Sequence, residues 1–283
     1  MRCTREAAEA VRQKLLDLSG GRGTWEEEIG STVLIRAYAP LEKDWVSTIA
    51  RLADELAAVR PIFADGVIGA PVAQIISEED WAESWKAHYE PVVVGRVVVK
   101  PSWLGLPQNV PADAVVVELD PQMAFGTGTH ATTRLALLAL QEAVQAGDRV
   151  ADVGTGTGIL AIAAALLGAQ VVYATDNDPV AVMAARQNSA RNGVARHVLV
   201  NQGEYLDGVP DGLDVIVANI SPMAIVKLSA PAAEHLRAGG VFICTGFSLA
   251  SEGEVQQALA AVGFSQVARQ ADEQWICLTL QKP

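Results

Sequence analysis

Cysteine is scarce in this 283-residue sequence: Cys3, Cys244 and Cys277 are odd in number and lie without metal-ligand spacing. That excludes a disulfide framework and a thiolate metal site, and the three read as reduced thiols of a cytoplasmic protein, Cys244 and Cys277 in core strands. Four scattered histidines add no metal motif. Long hydrophobic runs are missing too. The greasiest stretch, Ile159 to Ala174, is broken by Gly168 and Gln170, short of the roughly 20 apolar residues a membrane helix needs. The amino-terminal "MRCTREAAEAVRQKLL" is charged from its second residue and lacks the apolar core of a signal peptide. Positive charge is the remaining deficit: 21 basic residues face 33 acidic ones, a net −12, divided evenly about Glu90. Such a surface repels nucleic acid and anionic membranes. It serves solubility, and it favours a basic protein partner.

What is present is a core. Half the residues are apolar and mean hydropathy is +0.23, enough for two domains. Glu6 to Leu18 places Ala7, Val11, Leu15 and Leu18 on one helical face. "TWEEEIGSTVLIRAYAP" reads as two short strands, Asp44 to Val59 as a second amphipathic helix, and Val67 to Ile76 as a further strand. This is most of a ferredoxin-like α+β sandwich lacking its first strand. "SEEDWAESWKAHYEP" follows as a capped linker helix ended by Pro91. Beyond it "VVVGRVVVKPSW" and "AVVVELDP" read as strands. From Arg149 the rhythm is strand and helix, with strands near 149–154, 170–175, 197–201, 213–219 and 240–246. "FSQVARQADEQWICLTLQ" then closes as a hairpin. The expectation is an α/β, doubly wound, Rossmann-like sheet of seven strands.

Between the first two of those strands lies "ADVGTGTGILAIAAALLGAQVVYATDNDP", Ala151 to Pro179. Gly154, Gly156 and Gly158 leave the first strand and open a helix, where backbone can approach a ligand with no Cβ in the way. Asp176 ends the next strand, placed to accept hydrogen bonds from two ribose hydroxyls. The glycines alone leave the ligand open. Gly156, Gly158 and Ala161 satisfy a dinucleotide fingerprint with Asp176 as its acid, so a nicotinamide oxidoreductase stays in view. Gly154-x-Gly156-x-Gly158 preceded by Asp152 fits an S-adenosylmethionine site better. No Gly-Lys-Ser/Thr follows, which excludes a Walker phosphate loop.

Two other stretches bear on the choice. "LDPQMAFGTGTHATTRLALLAL", Leu119 to Leu140, is a glycine-threonine loop before a helix, in which Thr132 or Thr133 could serve as the cap. "DVIVANISP", Asp214 to Pro222, delivers Asn219 on an apolar strand to the loop above the sheet. Its carbonyl can orient an amine in methyl transfer, whereas hydride transfer has no special need of an amide there. The plainer role is a turn before the helix that Ser221-Pro222 begins.

"DPQMAFGTGTHATTRLAL", "DVGTGTGILAIAAALLGA", "ATDNDPVAVMAARQN" and "VANI" together strongly resemble the PrmA family. Its members methylate the eleventh protein of the large ribosomal subunit with S-adenosylmethionine. The resemblance is close over residues 77–283 and covers the amino-terminal region in layout. It implies a protein N-methyltransferase acting on lysine side-chain or N-terminal α-amines, with residues 1–76 as recognition domain, 77–95 as linker helix and 96–283 as catalytic domain. A methyltransferase of the same fold acting on another protein or a small-molecule amine is the alternative. The resemblance further implies Thr133, Gly154, Asp176 and Asn219 as main cofactor contacts, with Gly156 and Gly158 in the same loop. Phe125, Gly126, Thr129 and His130 belong beside the cofactor and incoming amine. Asn219 aims the amine, and His130 is the candidate general base, its other role being to pin the loop. The chain has "NISP" where the family continues "NILA". It lacks the Asn-Pro-Pro-Tyr loop of glutamine and adenine methylators, against release-factor and DNA targets. No metal, no membrane and no direct nucleic-acid contact are expected, and the chain is expected to be a cytoplasmic monomer.

Overall fold

The computed structural model describes residues 1–18, 24–29, 32–37, 45–59, 71–73, 90–108, 110–120, 130–272 and 274–283. They fall into two compact units, Met1–His88 and Tyr89–Pro283.

In the first unit, β1 (Arg2–Thr4), α1 (Arg5–Leu18), β2 (Thr24–Ile29), β3 (Thr32–Ala37) and α2 (Trp45–Val59) follow in chain order. The sheet runs β1-β3-β2, antiparallel throughout. The sandwich therefore has the first strand that the sequence reading leaves out. Three residues suffice because each pairs with β3: Arg2 with Leu34, Cys3 with Val33 and Thr4 with Thr32. The helices bury Ala7, Val11, Leu15, Leu52 and Leu56 against Cys3, Val33 and Ile35, the apolar stripe its 3.6-residue period foretells. Of the strand expected over Val67–Ile76 only residues 71–73 are described, and they are not in a strand. The helix expected from Ser77 to Tyr89 lies outside the described residues.

The second unit opens with a small sheet in the order β4 (Val92–Val94), β5 (Val97–Lys100), β6 (Val115–Glu118). Then come α3 (Ala131–Ala143), β7 (Arg149–Val153), α4 (Ile159–Leu166), β8 (Val171–Asp176), α5 (Pro179–Arg191), β9 (Val198–Gln202), β10 (Leu213–Asn219), α6 (Pro222–His235), β11 (Leu236–Ser248), α7 (Glu252–Ala261), β12 (Ser265–Asp272) and β13 (Trp275–Gln281). The seven-stranded sheet has the order β12-β13-β11-β10-β7-β8-β9. Strands β7 to β11 are parallel, while β13 runs against β11 and β12 against β13. The doubly wound sheet and its closing hairpin are thus as the alternation implies.

Each face of this sheet carries its own core. Val150, Val172, Val215, Val217 and Ile243 join α3, α4 and the inner side of α5. Ala151, Val153, Ile216, Ala218, Phe242 and Cys244 join α6 and α7. Consecutive residues change sides, as strand geometry demands. Cys244 and Cys277 consequently lie on opposite faces of the sheet, both buried and both free.

Candidate functional site

The chain runs outward from β7 in two directions, to β8 and β9 on one side and to β10, β11, β13 and β12 on the other. The order reverses between β7 and β10, which is where open parallel sheets bind ligands, beyond the carboxyl ends of the strands. Register defines what meets there. Val153 pairs with Thr175 of β8 and with Ala218 of β10, so Gly154, Asp176 and Asn219 stand level, one residue further on. Alternation settles their side. Asp152, Asp176 and Asn219 continue the set Val150, Val172 and Val217, which faces α3, α4 and α5.

The glycine loop takes all three glycines at positive φ: 72° at Gly154, 56° at Gly156 and 83° at Gly158. Other residues reach that conformation only at a cost. Two of them also make room for protein. A Cβ on Gly154 would lie 2.4 Å from Cγ2 of Ile220, and one on Gly158 would lie 3.2 Å from Cα of Ala185 in α5. The N–H groups of Gly154 and Thr155 both donate to the Thr175 carbonyl, at 2.9 and 3.0 Å, tying the loop to the end of β8. Asp176 holds the loop from the side: its Oδ2 accepts the Gly156 N–H at 2.9 Å and its Oδ1 the Asp178 N–H at 3.0 Å. Each carboxylate oxygen keeps capacity for a further hydrogen bond, as a ribose diol requires. Asp178 in turn caps α5, accepting the Val180 N–H at 2.8 Å.

Beneath the loop, Asp152 is buried and uses one oxygen twice. Its Oδ2 accepts the Thr155 hydroxyl at 2.6 Å and the Ala161 N–H at 3.0 Å. Its Oδ1 has no partner among the described residues. Burial pushes this carboxyl up to about 7, the nearby Asp176 charge adding to the rise while the two hydrogen bonds oppose it. An S-adenosylmethionine molecule fits this donor and acceptor set: a carboxylate for the ribose, a left-handed glycine turn beside it, and a spare buried acceptor below.

Across the crevice, Asn219 Nδ2 donates to Thr133 Oγ1 at 3.4 Å. Two candidates that the sequence names separately, 86 positions apart in the chain, are thereby brought together. Thr133 is buried in the first turn of α3 and is not its cap. His130 caps the helix instead. The Thr132 N–H donates to His130 Nδ1 at 3.3 Å, and the Thr132 hydroxyl lies 2.8 Å from the same nitrogen. The His130 ring also meets Trp275 of β13 edge-on, with centroids 4.9 Å apart. After Asn219 the chain is seated by Ile220, whose N–H donates to the Thr245 carbonyl at 3.1 Å. Gly246, at φ 98°, lies under that turn, and a Cβ there would come within 2.2 Å of the Ile220 carbonyl oxygen.

His130, Thr133, Gly154, Gly156, Gly158, Asp176 and Asn219 are thus placed around one end of the sheet. Phe125, Gly126 and Thr129 lie outside the described residues. Sequence reasoning passed over Ile220, Gly246 and Trp275, whose roles depend on register between distant strands. It also passed over Asn188 and Asn192, two amides four residues apart on a helix that otherwise alternates conventionally. That spacing was the available signal.

Among known proteins, the family model described as ribosomal protein L11 methyltransferase (PrmA) matches residues 3–283. A relative in Carboxydothermus hydrogenoformans, named ribosomal protein L11 methyltransferase, is 42% identical over 88% of this chain and 79% of its own. One of the same name in Brevibacillus brevis is 36% identical over 99% of this chain and 96% of its own. The crystal structure of a ribosomal protein L11 methylase from Lactobacillus delbrueckii subsp. bulgaricus superposes with a TM-score of 0.64 at 35% identity, covering 69% of this chain and 99% of that one. Glycine loop, acid and amide on one row of the sheet, and a family match running almost from end to end, lead to one statement: the chain belongs to the ribosomal protein L11 methyltransferase family.

Proposed function

We propose that this protein transfers methyl groups from S-adenosylmethionine to amino groups of ribosomal protein L11, the substrate for which its relatives are named. The observation that carries the reading is the common row of Gly154, Asp176 and Asn219, with Thr133 hydrogen-bonded to the amide. In this reading residues 96–283 are the catalytic domain, residues 1–76 recognise the substrate, and the protein works in the cytoplasm on a basic partner. No helix among the described residues is long and apolar enough to cross a membrane.

When bound, the cofactor supplies an already activated sulfonium methyl, so the chemistry is an in-line displacement by a neutral amine. Neutrality is the demanding part. Deprotonating a lysine with pKa 10.4 at pH 7 costs about 4.6 kcal/mol, against about 1 kcal/mol for an N-terminal α-amine. Desolvation in the crevice lowers both. Asp176 would hold the ribose hydroxyls on its free lone pairs, and the glycine loop would meet the cofactor with backbone. Asn219 is held at its Nδ2 by Thr133, which leaves its carbonyl oxygen to accept from the incoming N–H and aim the lone pair. Positioning of this kind replaces strong base catalysis. His130 serves the same end: Nδ1 accepts from the first turn of α3, which puts the proton of the neutral ring on Nε2 and makes the residue a clamp on Thr133's helix.

Calorimetric titration tests the reading, with S-adenosylmethionine and, separately, NADH. The expected result is binding of S-adenosylmethionine alone, weakened roughly a hundredfold or more in Asp176→Ala through loss of two charge-assisted hydrogen bonds. Transfer of label to purified ribosomal protein L11 then identifies the substrate. Binding of NADH in its place would overturn both cofactor and activity.

A further inference from the structure

Helix α5 and the residues that cap it meet the site at Asp176 and at the glycine loop, and reach beyond it to β6. At its start, the Asp178 N–H donates to Asp176 Oδ1 at 3.0 Å. Two turns on, Ala185 lies against Gly158, and the Asn188 Nδ2 donates to the Thr157 carbonyl of the glycine loop at 2.8 Å. At its end, Asn192 makes a paired contact with the backbone of β6: Oδ1 accepts the Glu118 N–H at 2.7 Å, and Nδ2 donates to the Glu118 carbonyl at 2.8 Å. The same Nδ2 lies 2.8 Å from the Asn188 carbonyl oxygen. Beside it Arg191 forms an ion pair with Asp120, which also accepts the N–H and hydroxyl of Ser102. From β6 the anchor reaches the helix that holds Thr133: β6 pairs with β5, Lys100 opposite Glu118, and just before β5 the Arg96 N–H donates to Gln141 Oε1 of α3 at 2.7 Å.

Asn188 is 2% exposed, and its Oδ1 has no partner among the described residues. Burying an amide oxygen in that state costs free energy that an alanine or leucine would avoid. The amide is retained for what its nitrogen holds, and the next amide, one turn on, repeats the arrangement against β6.

We propose that α5 is a common mount for the two sides of the reaction, and that Asn188 and Asn192 are positioning residues for methyl transfer. Asn188 sets the height of the glycine loop over Asp176. Asn192, with the Arg191–Asp120 pair, fixes β6 and, through its sheet partner, the segment bonded to Gln141 of the helix that holds Thr133. Cofactor binding at Asp176 and the placement of the acceptor side are coupled through this helix. The proposal rests on the methyltransferase reading above.

The test uses the full-length protein and two readouts. Amide hydrogen exchange at Glu118 is measured with and without S-adenosylmethionine. The expected result is a slowing of roughly tenfold on binding, lost in Asn192→Ala. Steady-state methylation of ribosomal protein L11, run alongside cofactor titrations, separates the two amides. Asn188→Ala weakens cofactor binding roughly tenfold with kcat at saturating cofactor within about twofold, whereas Asn192→Ala weakens binding by about the factor that slows exchange, as reciprocity requires, and lowers kcat roughly tenfold as well. Should Asn192→Ala fail to fold, Asp120→Asn probes the same anchor from the β6 side, and the same split in smaller measure is expected. A wild-type protein that binds no S-adenosylmethionine sinks the cofactor reading. One that binds it while exchange at Glu118 stays unchanged overturns the mount alone, as does an Asn192→Ala enzyme with wild-type kcat. Binding and slowed exchange without methylation of ribosomal protein L11 keep the mount and reject the substrate.

Discussion

The two flanks of the crevice are built by different means. On the β7–β8 flank, the loop from Gly154 to Gly158 and Asp176 lie within 23 residues of sequence, and their contacts are mostly backbone groups bonded to one another and to two carboxylates, Asp152 and Asp176. On the β10–β11 flank, Asn219 meets Thr133 across 86 residues, and Ile220 is seated by Thr245 and Gly246 of the neighbouring strand. The first flank is tied together mainly by residues close in sequence, the Thr175 carbonyl and the Asp176 carboxylate holding the loop. The second exists only when the whole sheet has assembled in register. In the proposed reading the cofactor is gripped by the flank that is local in sequence and the amine is aimed by the flank that depends on long-range packing.

That contrast can be broken most forcefully at Gly246. A side chain there meets the Ile220 backbone at 2.2 Å and must hold a left-handed φ, so Gly246→Ala is expected to cost about 3 kcal/mol of stability or more. Denaturant unfolding measures it; a loss under about 1 kcal/mol would mean the turn yields freely. Next in size is Asn219→Ala. It is expected to keep the fold, to weaken cofactor binding severalfold and, at saturating cofactor, to lower turnover roughly a hundredfold; unchanged turnover would remove the amide from the aiming role.

A smaller effect sharpens the β7–β8 flank. The Asp152 carboxyl rises from an ordinary 3.8 to about 7 in the folded protein. The folded state therefore holds a proton that the unfolded chain has lost between those values. This contribution to stability is full below about pH 4 and is lost as pH rises through about 7. Asp152→Asn should flatten the slope in that window, as read by thermal or urea unfolding at a series of pH values. An unaltered slope would place its origin elsewhere. Smallest is steering. With a net charge of −12 and a basic protein substrate, kcat/KM should fall severalfold between low and physiological salt. A salt-independent rate would leave the acidity with solubility alone.

Legibility follows the same divide. Gly154, Gly156, Gly158 and Asp176 could be read directly because strand, turn, helix and acid are consecutive in the chain. Asn219 and Thr133 emerged as separate candidates, and only the fold joins them. The short β1 escaped notice since three residues carry almost no periodicity; its identity comes from pairing with β3. Thr132 and Thr133 looked like caps, being the residue types that usually are, yet His130 Nδ1 takes that office and frees Thr133 for Asn219. Gly246 is one of many glycines until the bulge between Thr245 and Phe247 is seen. Asn188 and Asn192 resemble an ordinary polar face until the burial of the first and the paired bonds of the second to the Glu118 backbone are seen.

Arg186 of α5 carries a consequence for the protein's life in a crowded cell. Strand β9 is the last in its sheet, and the His197 carbonyl, one of its inward set, is taken by Val172 of β8. The carbonyl of Val200 belongs to the outward set, and Arg186 covers it with Nε at 3.2 Å and Nη2 at 2.8 Å. An unguarded edge of this kind invites a strand from a neighbouring molecule, the first step toward fibrous self-association. One guanidinium folded over one oxygen removes an acceptor from the middle of that edge, where an incoming strand would dock.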